Sequence, residues 1–478
     1  MSTLTDSQRA AVKTGIVHIG IGRFHRAHEA LYVHELLLQG ELNYGICGVC
    51  ILPFDEQIYS ALKKQDGKYH LIEKGNERET VKSVESIVDL IFGYEDPVAA
   101  FEKLAHIDVK IVTFTVTEAG YFYDCATKEL NFEHAAVVHD LAHPESPRTL
   151  YGYLLRGLAL RRECGLPPFT VQSCDNVQGN GDLVKHLLLQ FCARADAEMV
   201  SWIESNVTFP NSMVDRITPG GSAEELRYVN ETLRLADAVP VTCEPYRQWV
   251  IEDKYCNGRP DWPAVGVQLT TSVKPYEKIK VRLLNAGHSA LGYTGYLLGH
   301  STVDEACNDP LLAKYLKSFF EEVSVTLDPV PGMDIVEYQH TLINRFSNES
   351  IKDQIWRICK DGSSKIPGFI MPTVRELISS GQSLQSITFL LASYVHFLQR
   401  CLADNLNDVS VAIDDPERNR LAEAVAFAAG DVKKFASKCS FIFAEQELDN
   451  GLFMESLQSH FDDISANGVR GVLEKMLA

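Results

Sequence analysis

A chain of 478 residues exceeds what one ordinary hydrophobic core organises, and predicts two or three domains. Apolar residues make up 45% and charged residues 23%, which excludes a disordered chain and fits a folded globular one. A formal net charge of -19 argues against non-specific nucleic-acid binding and against docking on anionic membrane, and suits an enzyme of small molecules.

The N-terminal stretch Met1 to Lys13 is polar and lacks the apolar core of a signal peptide. Gly15 to Gly20 is a short β-type apolar run, and it leads into Gly20-Ile21-Gly22-Arg23-Phe24-His25. A helical pattern follows through Ala30, Leu31, Val33, Leu36 and Leu37. Strand, G-x-G and helix open a dinucleotide-binding βα unit: the glycines allow a tight turn and close approach of a pyrophosphate, and the helix start offers free N–H groups. His25 stands where a third glycine is usual, and any glycine-rich βα turn would share the pattern. Gly20, Gly22, Phe24 and His25 are the candidate cofactor residues here.

Ile46 to Leu52 reads as a buried strand and contains Cys47-Gly48-Val49-Cys50. A C-x-x-C could serve redox or zinc chemistry, but no second cysteine pair or Cys/His pair at zinc spacing accompanies it, so two buried structural thiols are expected. With 12 scattered cysteines and no leader, a reducing, cytoplasmic setting is expected. An acid at the end of this strand would bind the ribose hydroxyls of NAD and repel the 2′-phosphate of NADP. Asp55 is the acid available, after Pro53, and a helix cap is an equally good use for it.

Residues 68 to 94 alternate in a strand-rich manner and suggest an insertion or an antiparallel hairpin. A helix at about 96 to 106 precedes the buried strand Val109 to Thr117, which runs into Glu118-Ala119-Gly120-Tyr121. Ligands collect at the C-terminal ends of strands in a doubly wound sheet, so Thr117 and Glu118 are candidate cofactor-pocket residues. Pro147 to Cys164 is helical, and Phe169 to Cys174 is a strand ending in Asp175-Asn176. Asn176 falls at the same strand-end crevice, although asparagines there often only cap helices. Asp215 and Arg216 follow in Met213-Val-Asp-Arg-Ile217 and could simply pair. Residues 264 to 271 read as the last strand.

From about 275 onward strand signals nearly vanish and helical periods dominate, which sets the expected boundary between domains 1–274 and 275–478. Ile387 to Leu402 is apolar but carries Ser393, His396, Gln399 and Arg400, so it reads as a buried helix rather than a membrane span. The first helix past the boundary holds Lys280-Val-Arg282-Leu-Leu-Asn285-Ala-Gly-His288. As a regular α-helix over 277–298, it places Glu277, Asn285 and His288 at about 60°, 140° and 80° from Lys280, with Arg282 facing elsewhere. Taken alone, this set reads first as a solvated polar stripe.

Lys280-x-Arg282-x-x-Asn285-x-x-His288 resembles the signature of the polyol-specific long-chain dehydrogenases, the mannitol dehydrogenase family. Gly20 to His28, Thr117 to Tyr121, Ser173 to Asn176, Met213 to Ile217 and the segment from Arg345 through Arg357 to Lys365-Ile366-Pro367 are similar to its further blocks. The resemblance runs in order over nearly the whole chain. It implies an α/β fold, with an N-terminal Rossmann-type dinucleotide-binding domain, a mainly α-helical C-terminal domain, a site between them, no metal, and a monomer or weak homo-oligomer. It implies an NAD(H)-dependent oxidoreductase interconverting a polyol and a ketose, with NADP the less favoured cofactor. By motif, Lys280 corresponds to the general base, and Asn176 and Asn285 to the pair that hydrogen-bonds the reacting oxygen. His288 would orient the substrate and Glu277 would pass the proton to solvent. Asp215, Arg357 and Lys365 would bind the polyol hydroxyls. A hexuronate reductase of the same family is the nearest rival, since Arg357 and Lys365 could also take a carboxylate. A non-catalytic dinucleotide-binding protein is the rival of a different class, disfavoured because it has no need of a base.

Overall fold

The computed structural model describes residues 3–124, 127–404 and 413–478. The chain divides into two compact units, Met1–Lys274 and Pro275–Ala478.

The first unit is built on strands β1 (Thr14–Ile19), β2 (Gly45–Cys50), β3 (Tyr69–Lys74), β4 (Glu79–Val84), β5 (Ile87–Phe92), β6 (Ile111–Phe114), β7 (Thr170–Ser173), β8 (Ser212–Asp215), β9 (Val241–Cys243), β10 (Gln248–Glu252) and β11 (Gln268–Thr270). The main sheet has the order β5-β2-β1-β6-β7 and is parallel throughout. Its strand order reverses between β1 and β6, the place where a doubly wound sheet opens a ligand crevice. Apolar runs without alternation form these strands because both sheet faces are covered. Val17, Ile19, Cys47 and Val49 enter the core on one face, whereas Ile16, Ile46 and Cys50 enter a second core on the other. The two thiols of the C-x-x-C therefore lie on opposite faces of β2, and burial pushes both well above the usual thiol range. They are packing residues.

The strand-rich stretch 68–94 resolves into two structures. β3 and β4 form the antiparallel hairpin, to which β9 adds, and β5 instead joins the main sheet beside β2. The predicted last strand is shorter than its apolar pattern: Trp262–Val265 forms a 3₁₀ turn ending at Gly266, and only β11 pairs, with β10. The buried Trp249 and Trp262, with ring centroids 5.0 Å apart, anchor this sheet against the helix Glu29–Leu38 side of the core.

The second unit is helical; outside isolated bridges its described residues carry no strand. Helix Gln385–Asp404 packs along the long helix Gly451–Met476, where His396 stacks on Phe461 at 4.3 Å and bonds the Phe461 carbonyl at 3.0 Å. No described helix is long and apolar enough to cross a membrane.

Candidate active site

Four of the candidate segments follow parallel strands on one edge of the main sheet. After β1, Gly20 adopts φ +90°, and a Cβ there would meet the Thr115 carbonyl oxygen at 2.4 Å. Glycine is required at that position because the chain must turn left-handed and close against β6. At Gly22 an added Cβ would find only the Gly20 oxygen, at 4.0 Å, so the outer side of the turn is open. Such a turn fits a group that must approach backbone closely, as a pyrophosphate does. Helix Arg23–Ala27 starts directly from Gly22, and its far end is tied down: Tyr69 donates to the Arg26 carbonyl at 2.5 Å and Arg216 to the Ala27 carbonyl at 2.6 Å.

Phe24 is half-buried and stacks on His28 at 5.0 Å. The His25 imidazole departs from the expected pocket role: it is buried and stacks at 3.5 Å on His18, inside the protein. Only its backbone remains near the turn. Asp55 folds back to accept the Leu52 N–H at 3.3 Å within the turn Pro53–Asp55, and burial raises its carboxyl above the usual range. It does not cap the following helix Glu56–Lys64 through its side chain.

After β6, Thr117 has φ +60° and ψ 169°, a conformation that costs a β-branched residue about 1–3 kcal/mol. Asp175, at the end of β7, holds it there. One carboxylate oxygen accepts the Thr117 N–H at 2.9 Å, and the other accepts the Val116 N–H at 3.1 Å and the Tyr121 hydroxyl at 3.1 Å. Burial pushes the Asp175 carboxyl up to about 6 despite these donors. Thr117, Glu118 and Asn176 are all exposed around this braced loop. Asp215 is buried at the end of β8. Arg216 meets Glu73 at 2.5 Å and the Glu244 carbonyl at 2.9 Å. Alternation along the backbone sends the Asp215 and Arg216 side chains to opposite sides.

In the second unit the predicted single α-helix is corrected. Lys274–Ile279 and Ala286–Leu298 are α-helical, but Lys280–Asn285 between them is a π turn, and the Ala286 N–H bonds back to the Val281 carbonyl. A π turn has more residues per turn than an α-helix, so Lys280 and Asn285 lie closer together around the helix axis than a regular helix would set them. A regular α-helix would set them about 140° apart. Both are buried, at 6% and 9% exposure, so the polar stripe is not a solvated one. Glu277 is half-buried one turn earlier.

His288 keeps some solvent exposure but is densely surrounded, with Phe346 against its ring at 4.4 Å. Burial, then the nearby Arg357, Arg345 and Lys365, push its imidazole down to about 3, while Asp353 pulls the other way. It is a neutral ring at any working pH. Arg357 is fixed by Asp353, one helical turn before it, at 2.6 Å. Lys365 donates to the Ile358 carbonyl at 3.2 Å and opens a second π segment, Ile366–Ile370, which packs on Lys280–Asn285. The second unit thus gathers Lys280, Asn285, His288, Arg357 and Lys365 on neighbouring elements.

Residues 14–264 match the Mannitol dehydrogenase Rossmann domain, and residues 272–465 match the Mannitol dehydrogenase C-terminal domain. The chain belongs to the mannitol dehydrogenase family. It is 40% identical over 476 residues to a mannitol 2-dehydrogenase of Phaeosphaeria nodorum, covering 98% of this chain and 83% of that one. Among solved structures it resembles the Pseudomonas fluorescens mannitol 2-dehydrogenase ternary complex with NAD and D-mannitol, at 38% identity and a TM-score of 0.86, with 98% and 95% of the two chains covered. It also resembles a substrate-free D-sorbitol dehydrogenase, at 34% identity and a TM-score of 0.88, with 97% and 96% covered.

Within this mannitol dehydrogenase fold, three supporting groups escaped the sequence reading. Asp175 was passed over for its neighbour Asn176; its place at a strand end beside a glycine-containing loop was the available signal. Asp353 sits four residues before Arg357, the spacing of a helical ion pair. His18 and Glu29 stood as isolated polar residues in apolar runs, and nothing local showed that they meet.

Proposed function

We propose that this protein is an NAD(H)-dependent polyol 2-dehydrogenase that interconverts D-mannitol and D-fructose, works without a metal, and uses Lys280 as its general base. The observation that carries this reading is that both halves of the chain belong to the mannitol dehydrogenase family while Lys280, Asn285, His288 and Asn176 are all intact. NAD would be held at the Gly20–Gly22 turn, with Phe24, the His25 backbone, Thr117, Glu118 and Asp55 around it, and would supply the hydride acceptor for the alcohol carbon.

The residues divide the remaining work. Lys280 as the neutral amine removes the hydroxyl proton, and as the ammonium returns it to a ketose carbonyl. Glu277, one turn away, passes that proton on to solvent. Asn176 and Asn285 donate hydrogen bonds to the oxygen as it gains charge. His288, neutral, donates or accepts at a substrate hydroxyl without competing for the proton. Asp215, Arg357 and Lys365 bind the other hydroxyls. The free, mostly buried cysteines suit a reducing, cytoplasmic setting, and a monomer or weak homo-oligomer is proposed with it.

The resemblance to a D-sorbitol dehydrogenase favours one second reading. Mannitol and sorbitol differ only in configuration at C2, and oxidation there gives fructose from either. The test is NADH oxidation with fructose, fructuronate and tagaturonate in parallel, followed by identification of the alcohol formed. Mannitol from fructose supports the proposal. Sorbitol assigns the second reading, turnover of a hexuronate alone assigns a reductase of that class, and oxidation with none of them leaves a binding protein.

A further inference from the structure

Beneath the glycine turn lies a buried ionisable cluster that the proposed chemistry does not use. His18 on β1, Thr113 beside it on β6, and His25 and Glu29 one helical turn apart meet in the interior. His18, His25 and Glu29 bring one ligand atom each within 4.8 Å of one another, a spacing that a metal ion could bridge. The rings of His18 and His25, however, are stacked at 3.5 Å and 11° from parallel. Imidazole lone pairs lie in the ring plane, so one ion cannot lie in both planes. The geometry suits a proton instead.

His18 Nδ1 faces Glu29 Oε2 at 2.9 Å and Thr113 Oγ1 at 2.8 Å, and the Thr113 hydroxyl donates to the same Glu29 oxygen at 3.0 Å. His18 Nε2 faces the Gly20 carbonyl and Thr115 Oγ1, each at 3.1 Å, and the Thr115 hydroxyl donates to that carbonyl at 2.7 Å. Each threonine hydroxyl has one proton and two acceptors in reach, an oxygen and a His18 nitrogen. His18 Nδ1, against a carboxylate oxygen, and Nε2, against a carbonyl oxygen, are both placed to donate. Glu29 faces Nδ1 from the first turn of helix Glu29–Leu38, where the helix dipole favours a carboxylate. His25 lies face-on against the His18 ring, its own proton affinity driven down first by burial and then by its neighbours His18, Arg26 and His28. The remaining close group, Cys174, is 3.9 Å from Glu29 and is kept a neutral thiol by burial.

The cluster is not optimised for stability. Glu29 Oε1 and both His25 nitrogens are buried without a hydrogen bond, a cost that a purely structural core would shed. What the cluster reaches is the Gly20 carbonyl, the hinge of the turn, which Gly22 N–H also holds at 2.8 Å.

We propose that His18 is a positioning residue for dinucleotide binding: a buried ring that donates from Nε2 to the Gly20 carbonyl and from Nδ1 to Glu29, ties that carbonyl inward, and so keeps the outer side of the Gly20–Gly22 turn open for the pyrophosphate. This rests on the reading that the turn takes NAD. It predicts a role in cofactor affinity and none in the chemical step.

The test combines nitrogen NMR of 15N-histidine-labelled protein with NADH titration and steady-state kinetics on wild type, His18→Phe and Glu29→Gln. The phenyl ring keeps the stacked volume and deletes both N–H groups. In the wild type at pH 7.5, both His18 nitrogens should be protonated. His18→Phe should raise the NADH Kd about tenfold, about 1.4 kcal/mol, with kcat at saturating NADH and the fructose KM within twofold. Glu29→Gln should lose the second ring proton and raise Kd about threefold. A neutral His18 in the wild type, unchanged NADH affinity in both variants, a fall in kcat alone, or one equivalent of metal in the purified protein each overturns the proposal. If His18→Phe fails to fold, Glu29→Gln decides. If the wild type binds no NADH, the NAD reading fails, while the nitrogen spectrum still decides the charge state of His18.

Discussion

Arg282 meets Glu376 through two parallel hydrogen bonds, its Nη1 at 2.7 Å from one carboxylate oxygen and its Nη2 at 2.6 Å from the other. Arg282 lies in the middle of the π turn that begins with Lys280 and ends with Asn285, and Glu376 belongs to helix Met371–Ser380. The fork therefore pins the turn from the side away from Lys280, and Lys278 adds a second contact to Glu376 at 3.2 Å. A bidentate pair of this kind fixes orientation as well as distance.

The Arg282 and Lys278 contacts hold the Glu376 carboxyl down at about 2. A depressed carboxylate stabilises the fold above its unfolded value, about 4.3, and that contribution is lost as pH falls through about 2. Because Glu376 is 45% exposed, solvent screens the pair. Glu376→Gln should lower stability by about 1 kcal/mol at pH 7, with the gap to wild type closing in acid. Thermal melts of both proteins from pH 7 to pH 2.5 check this; a gap that is constant with pH would show that the charge is not the cause.

Lys280→Ala should lower turnover by about 10³-fold or more, the scale of losing a positioned base together with its proton return, while NADH affinity stays within threefold. Stopped-flow reduction and a fluorescence titration separate the two. Incubation with EDTA should leave wild-type turnover unchanged. Substantial activity in the alanine variant, or chelator inactivation reversed by zinc, would remove lysine from the role of base.

Asn285→Ala should act on kcat rather than KM, by about 10² to 10³-fold, because its hydrogen bond strengthens only as the substrate oxygen becomes an alkoxide. Parallel kcat and KM measurements with fructose decide; a rise in KM alone would make Asn285 a ground-state binding residue.

Asp175 predicts the opposite pH sign to Glu376. Its carboxyl is pushed up to about 6, so the folded state holds the proton more tightly than the unfolded chain does. The resulting stabilisation is complete below about pH 4 and is lost as pH rises through about 6, with a range of about 3 kcal/mol. Asp175→Asn should be less stable than wild type at pH 5, since an amide supplies one acceptor oxygen where two are used, and its loss should shrink by about 1.4 kcal/mol at pH 8. Denaturant melts at the two pH values measure the difference directly.

Much of the fold was legible because its cause is local. β1, β2, β6 and β7 coincide with short apolar runs bounded by glycine, proline or polar residues, and a strand buried on both faces has no other way to look. The helical character beyond residue 275 shows in the period of its apolar residues. Gly20 declared itself because only glycine tolerates the turn it makes against Thr115. The split of 68–94 did not: β4 and β5 have similar patterns, and only pairing partners tell a hairpin strand from a sheet edge.

The site divides in the same way. Residue identity along the chain carried Lys280, Asn285, His288 and Asn176, since motif spacing survives in sequence. Sequence by itself could not decide the geometry that makes two of them useful together. Nothing in Lys-Val-Arg-Leu-Leu-Asn marks a π turn; the extra residue per turn is stabilised by what packs around it, including the Arg282–Glu376 fork and the second π segment at 366–370. That turn brings Asn285 round toward Lys280 from the position about 140° away that a regular α-helix would give it. The His18–Glu29 cluster was equally silent, because its members come from a strand, a neighbouring strand and a helix. Which oxygen faces which His18 nitrogen is set by tertiary packing alone.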